Sequence, residues 1–144
     1  MRMRTTIAIV ALLAASPVAQ ESTSFTARLS PLPRTAATVP SLTGSGEVSA
    51  VLSDMTLTMT GRFTGLQSPA TIARVHMSER TGVRGPAIFD VQVTEAPSGS
   101  ISATLELRRV HLELLRQGRF YVQLHSQSAP EGNLWGWLLA PEAR

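Results

Sequence analysis

Val48-Ser49-Ala50-Val51-Leu52, then Ser53-Asp54, then Met55-Thr56-Leu57-Thr58-Met59-Thr60 is the stretch that decides the fold class. In both halves apolar residues recur at every second position, which is the period of a half-buried β-strand and not the ~3.6-residue period of a helix. Ser53 and Asp54 between the halves are turn formers, so the stretch reads as a hairpin. Met55 and Met59 fall on the core-facing register, where the flexible thioether fills gaps, and this outweighs a reading of them as cuprous copper ligands. Outward from this hairpin, the same period predicts strands over residues 25–30, 71–77, 87–93, 100–107, 119–126 and 134–139. They are separated by loops carrying Gly82, Gly85, Pro86, Pro97, Gly99, Pro130 and Gly132. Residues 109–117, with Val110, Leu114 and Leu115 at helical spacing before Gly118, predict one short crossover helix, with His111 on its exposed side. Short alternating strands with turn signals and a single helix point to an antiparallel sandwich or barrel.

The chain has 144 residues, 43% of them hydrophobic and 16% charged, which fits one globular domain with its own core. The absence of cysteine excludes a disulfide framework, a thiolate metal site and a cysteine nucleophile. Arg2 and Arg4 followed by the apolar run Ile7 to Ala15 predict a secretory signal peptide over residues 1–19, leaving a domain over residues 20–144 in the periplasm or the medium of a bacterium. No later stretch is apolar enough to span a membrane as a helix. All 13 basic residues are arginine, and removal of the leader lowers the net charge from +3 to about +1. Nucleic acid is therefore not an expected partner, because that function needs a clustered basic stripe with aromatics for stacking. Residues 20–46 are rich in Ser, Thr, Pro and Gly and read mainly as irregular chain. No dinucleotide loop, phosphate loop, G-x-S-x-G or H-E-x-x-H motif is present.

Two blocks, Ile72-Ala73-Arg74-Val75-His76 followed by Gly82-Val83-Arg84-Gly85-Pro86, and Leu114 to Ser126 (LLRQGRFYVQLHS), resemble the CHRD domain. The ending Gly132-Asn133-Leu134-Trp135-Gly136-Trp137-Leu138 completes the resemblance over about residues 25–139. The family is named for its occurrence in chordin and is widespread in exported bacterial proteins. Resemblance to it implies an all-β, antiparallel, immunoglobulin-like Greek-key sandwich, related in outline to copper-zinc superoxide dismutase, with one short crossover helix. It implies little about activity.

Residues two apart in a strand share a face, so Tyr121, Gln123 and His125 oppose the core-facing Phe120, Val122 and Leu124. By the same rule Arg74 and His76 share one face, and so do Trp135 and Trp137. Where these strands are neighbours, as the family fold suggests, the face away from the core collects Arg74, His76, Tyr121, Gln123, His125, Trp135 and Trp137. This patch is the candidate site. The family counterpart carries an H-x-H strand and a third histidine, a sensible set of copper or zinc ligands. Here the first histidine is Arg74, a permanent cation, and the family's Arg and Gln positions are Trp135 and Trp137. His76 and His125 remain as metal candidates, and a third ligand would have to come from Glu79, Asp90 or Glu131. The structural alternative is that both histidines are hydrogen-bonded to loop backbone and that the tryptophans pack under a loop or the helix. The patch would also suit an unidentified protein or carbohydrate partner, through aromatic stacking and cation–π contact. No nucleophile with a base and no carboxylate pair can be assigned. The expectation is an exported, non-catalytic binding or structural module with no cofactor, with copper or zinc binding through His76 and His125 as the alternative.

Overall fold

In the computed structural model, residues 15–19 and 21–141 are described. The predicted leader falls largely outside them. The elements run β1 (Ser22–Pro31), β2 (Ser45–Ser53), β3 (Thr56–Thr64), β4 (Ala70–Met77), β5 (Ala87–Val93), β6 (Gly99–Glu106), α1 (Arg109–Arg116), β7 (Phe120–Ser126) and β8 (Ala129–Trp137). The deciding hairpin is β2–β3. Ser53 pairs with Thr56 across a turn in which Asp54 takes a left-handed φ of 53°. Its alternation holds for Val48, Ala50, Leu52, Leu57 and Met59, which are all buried, while Met55 lies in the turn and is only half-buried.

All strand pairs are antiparallel, and the order β1-β2-β3-β6-β5-β4-β7-β8 closes on itself. This corrects the expected open immunoglobulin-like Greek-key sandwich: the molecule is a closed eight-stranded barrel with one short helix. Closure comes from two strands, β5 and β1, that each join the β2-β3-β6 half of the sheet to the β4-β7-β8 half. β5 pairs with β4 and, through Gln92↔Ser102 and Val93↔Ile101, with β6. β1 pairs with β2 along most of its length and with β8 through Ser30↔Trp135 and Pro31↔Leu134, extended by the bridge Thr26↔Leu139. At the second seam β8 places a glycine against β1: a Cβ on Gly136 would run into the Arg28 carbonyl. On the other side of β1, Gly46 of β2 lies as closely against the Arg62 carbonyl of β3. Glycine there lets neighbouring backbones approach at a barrel corner, so the sheet bends round instead of ending in an edge.

Phe25, Leu29, Leu57, Met59, Phe63, Ile101, Phe120 and Leu124 fill the interior. Truncating any one large side chain of such a core costs about 2–5 kcal/mol. α1 closes one end with Leu114 and Leu115 and stops at Gly118, whose φ is 70°. His111 is not on its exposed side. It is 8% exposed, sits edge-on to Phe89 at 5.2 Å between centroids, and its Nδ1 accepts the Arg108 backbone N–H at 3.2 Å. β8 starts five residues earlier than the alternation predicts, since Ala129 already pairs with Ser126 and Pro130 and Gly132 lie inside the strand.

Candidate functional site

Adjacent strands β4, β7 and β8 bring the seven expected residues onto one outer face. Register sets Arg74 opposite Gln123 and Gln123 opposite Trp135, and sets His76 opposite Tyr121 and Tyr121 opposite Trp137. Directly opposed side chains in an antiparallel pair lie ~5 Å apart, so the two rows form a continuous patch. The rings bear this out. His76 stacks on Tyr121 at 4.8 Å with an 18° interplanar angle, and Tyr121 meets Trp137 at 4.6 Å and Trp135 at 5.8 Å. The two indoles lie 6.2 Å apart.

The patch is less open than its alternation suggests. Tyr121 is 1% exposed and Gln123 4%, so β7 is covered on both faces. The cover over Tyr121 is the loop after β4. The Tyr121 hydroxyl accepts the Gly85 N–H at 3.0 Å and donates to the Gly85 carbonyl at 3.1 Å. His76 Nδ1 lies 2.9 Å from the same carbonyl, which only accepts, so Nδ1 carries the proton. Gly85 fits there because a Cβ would strike the Met77 carbonyl. Gln123 is held by the Glu131 carbonyl at 3.3 Å beneath Gly132, where a Cβ would collide with its amide. Trp135 packs against Leu32, Leu42 and Ala129, so the irregular segment after β1 covers part of one indole. That segment is tied down by Asn133, which is fully buried. Asn133 donates to the Thr43 carbonyl at 2.8 Å and accepts from Ser126 at 2.7 Å. Trp135 and Trp137 both remain partly exposed. Arg74 pairs with Asp90 at 3.1 Å, with both side chains open to water, an interaction worth little in stability.

A family model of the CHRD domain matches residues 25–138. The chain belongs to the CHRD domain family. No curated protein and no solved structure matches it. In this CHRD domain the motif residues His76, Gly85 and Tyr121, far apart in sequence, form one hydrogen-bonded unit that fixes the loop to the barrel wall. Gly85 was visible as a motif position, but its partner was not, because Tyr121 lies 36 residues away. Asn133 gives no sign of its role in the sequence, since a buried amide serving two segments leaves no periodic signal.

His125 stands apart from His76. It lies opposite Ile72, four residues along β7 from Tyr121, which is about 13 Å of strand. Its Nδ1 lies 2.9 Å from the Pro130 carbonyl, and its Nε2 lies 3.3 Å from the Gln123 amide nitrogen. Both histidines thus use Nδ1–H on backbone and keep Nε2 as the lone pair. His76 Nε2 is buried with no hydrogen-bond partner among the described residues. Burial pushes the His76 pKa down against the Gly85 bond, which favours the proton, and His125, Arg74 and Arg84 add smaller lowering contributions. Among the described residues there is no cluster of three or more His, Cys, Asp or Glu able to hold a metal, and no helix long and apolar enough to cross a membrane.

Proposed function

We propose that this CHRD protein is an exported, non-catalytic binding module whose recognition surface is the outer face of β4, β7 and β8. The observation that carries this is the pair of indoles, Trp135 and Trp137, braced by Tyr121 and still partly open to solvent on a face turned away from the core. Rigid aromatics supply large contact area at low entropic cost and dominate binding hot spots. The proton-handling groups of the patch are engaged in fixing backbone: the Tyr121 hydroxyl and His76 Nδ1 both serve Gly85. That supports recognition over chemistry. Export rests on Arg2, Arg4 and the apolar run that follows.

Copper or zinc binding is the competing reading, favoured by the unpartnered Nε2 of His76 and by the Nδ1–carbonyl bonds that orient both histidine rings, as they do for metal ligands. The separation of His76 and His125 along the sheet argues against one ion shared between them. The test is binding of the purified protein to isolated bacterial envelope material, with Trp135→Ala and Trp137→Ala beside it and elemental analysis run on the same samples. Each substitution is expected to weaken retention by at least about tenfold with the circular dichroism unchanged. Full retention by both variants overturns the recognition face. About one equivalent of copper or zinc that survives desalting and is lost in His76→Ala would establish the metal reading instead.

A further inference from the structure

A second surface lies round the barrel wall from the aromatic face. Register sets Arg28 of β1 opposite Glu47 of β2, and Glu47 opposite Arg62 of β3. The pairing of Ser30 with Trp135 and of Thr26 with Leu139 sets Arg28 beside Trp137 on the other side. Trp137, Arg28, Glu47 and Arg62 therefore form one row across four strands, about 14 Å long at ~4.8 Å per strand. They line an open cleft of ≈ 790 Å³, together with the hydroxyl residues Thr26, Ser49 and Thr64. Arg28, Glu47 and Arg62 are exposed, and among the described residues their side chains make no hydrogen bond or ion pair. Thr26 Oγ1 is buried without a partner among the same residues.

Two unpaired guanidinium groups around one carboxylate leave the cleft positive, and arginine takes carboxylates through two parallel bonds. An indole at one end offers a flat apolar face, the shape that stacks under a pyranose ring. Hydroxyls and a carboxylate along the floor suit a ligand that is itself a row of hydroxyls. A peptide strand would need a free sheet edge, and the barrel is closed. We propose that this cleft binds an acidic polysaccharide of the uronate type. Trp137 stacks under one ring, Arg28 and Arg62 take carboxylates, and Glu47 with Ser49 and Thr64 bonds ring hydroxyls. The inference rests on the recognition reading above through Trp137 alone.

The experiment is titration of the purified protein with alginate oligomers, followed by tryptophan fluorescence and calorimetry, with carboxyl-reduced oligomers and poly-glutamate as controls. Alginate is expected to bind with an affinity that falls as salt rises. Arg28→Gln and Arg62→Gln should each weaken it about tenfold, the scale of one lost charge-assisted contact. Glu47→Gln, which removes a repelling charge, should tighten it about threefold. A merely structural carboxylate would not give that gain. Trp135→Ala should lower alginate affinity by less than either arginine variant does, because Trp135 does not line the cleft and meets it only through Trp137. The proposal is overturned by the absence of alginate binding, by equal binding of the carboxyl-reduced form or of poly-glutamate, or by arginine variants that bind as well as the native protein. Should alginate fail while Trp135→Ala still impairs envelope retention, the cleft is wrong and the aromatic face stands. Should alginate bind as expected while neither tryptophan variant alters retention, the aromatic face is wrong and the cleft stands.

Discussion

At the scale of single residues, the chain spends its most suggestive side chains on holding one glycine. Tyr121 meets both backbone groups of Gly85, and His76 shares its carbonyl while stacking on the same tyrosine. The backbone there has no room for a methyl group, because the Met77 carbonyl occupies the Cβ position. Gly85→Ala is therefore expected to destabilise the fold by about 2–4 kcal/mol, the range for backbone displacement plus loss of buried hydrogen bonds. Tyr121→Phe, which removes the hydroxyl and keeps the ring, should cost about 1–2 kcal/mol. Urea unfolding of the two variants checks both, and an unchanged midpoint for Gly85→Ala would refute the clamp. That Arg74 shares a strand face with His76, Tyr121 with Gln123 and Trp135 with Trp137 is legible from alternation, because a period of two is a property of the extended chain, whereas the adjacency that joins the three pairs is implied only by the family resemblance. Their burial is legible from neither. Whether an outer face meets water depends on loops such as the one carrying Gly85, and those contacts span dozens of residues. His125 shares that face but not the contact with His76, because register along β7 sets their separation and no spacing rule reveals it.

Elements carry the next level of the argument. Residues 87–93 read as a strand and are β5, since Ile88 to Val93 lies between clear Gly-Pro and Pro-Ser-Gly breaks. β8 begins before its alternation does, because Pro130 and Gly132 resemble loop residues. Both are tolerated there. Pro130 offers its carbonyl to His125, and Gly132, at a φ of 128°, leaves room for the Gln123 amide. The same reasoning explains why alternation leaves sandwich and barrel undecided. The seam between β1 and β8 consists of few pairs, and the residue that permits it, Gly136, carries no signature beyond being small. Gly136→Ala is expected to push β8 off the Arg28 carbonyl and open this seam before any other. Amide exchange should then accelerate at Thr26 and Leu139, which bond each other across the seam, while the β2–β3 ladder keeps its protection. Uniform acceleration, or none, would show that the seam is not where the barrel is held shut.

For the whole molecule, one end of the barrel decides how stability responds to acid. His76, near the end of β4, and His111, on α1, both reach it, since Phe120 pairs with Met77 and its ring lies 6.2 Å from that of His111. Burial pushes both pKa values below the ordinary histidine value, helped by His125, Arg74 and Arg84 around His76 and by Arg108 beside His111. The unfolded chain therefore takes up protons that the folded chain resists once pH falls below about 6.5. Their contribution is complete above that value and is lost as pH drops from there through the lowered folded pKa values. Protonation of His111 would also cost the bond in which its Nδ1 accepts the Arg108 N–H at the start of α1, so the helix end should loosen with it. The expected result is a melting temperature that falls between about pH 7 and pH 5, with a slope clearly flattened in His76→Gln/His111→Gln. Thermal unfolding monitored by circular dichroism across that range measures it. A double variant whose slope matches that of the native chain would place the acid sensitivity elsewhere, in carboxylates outside this end of the barrel.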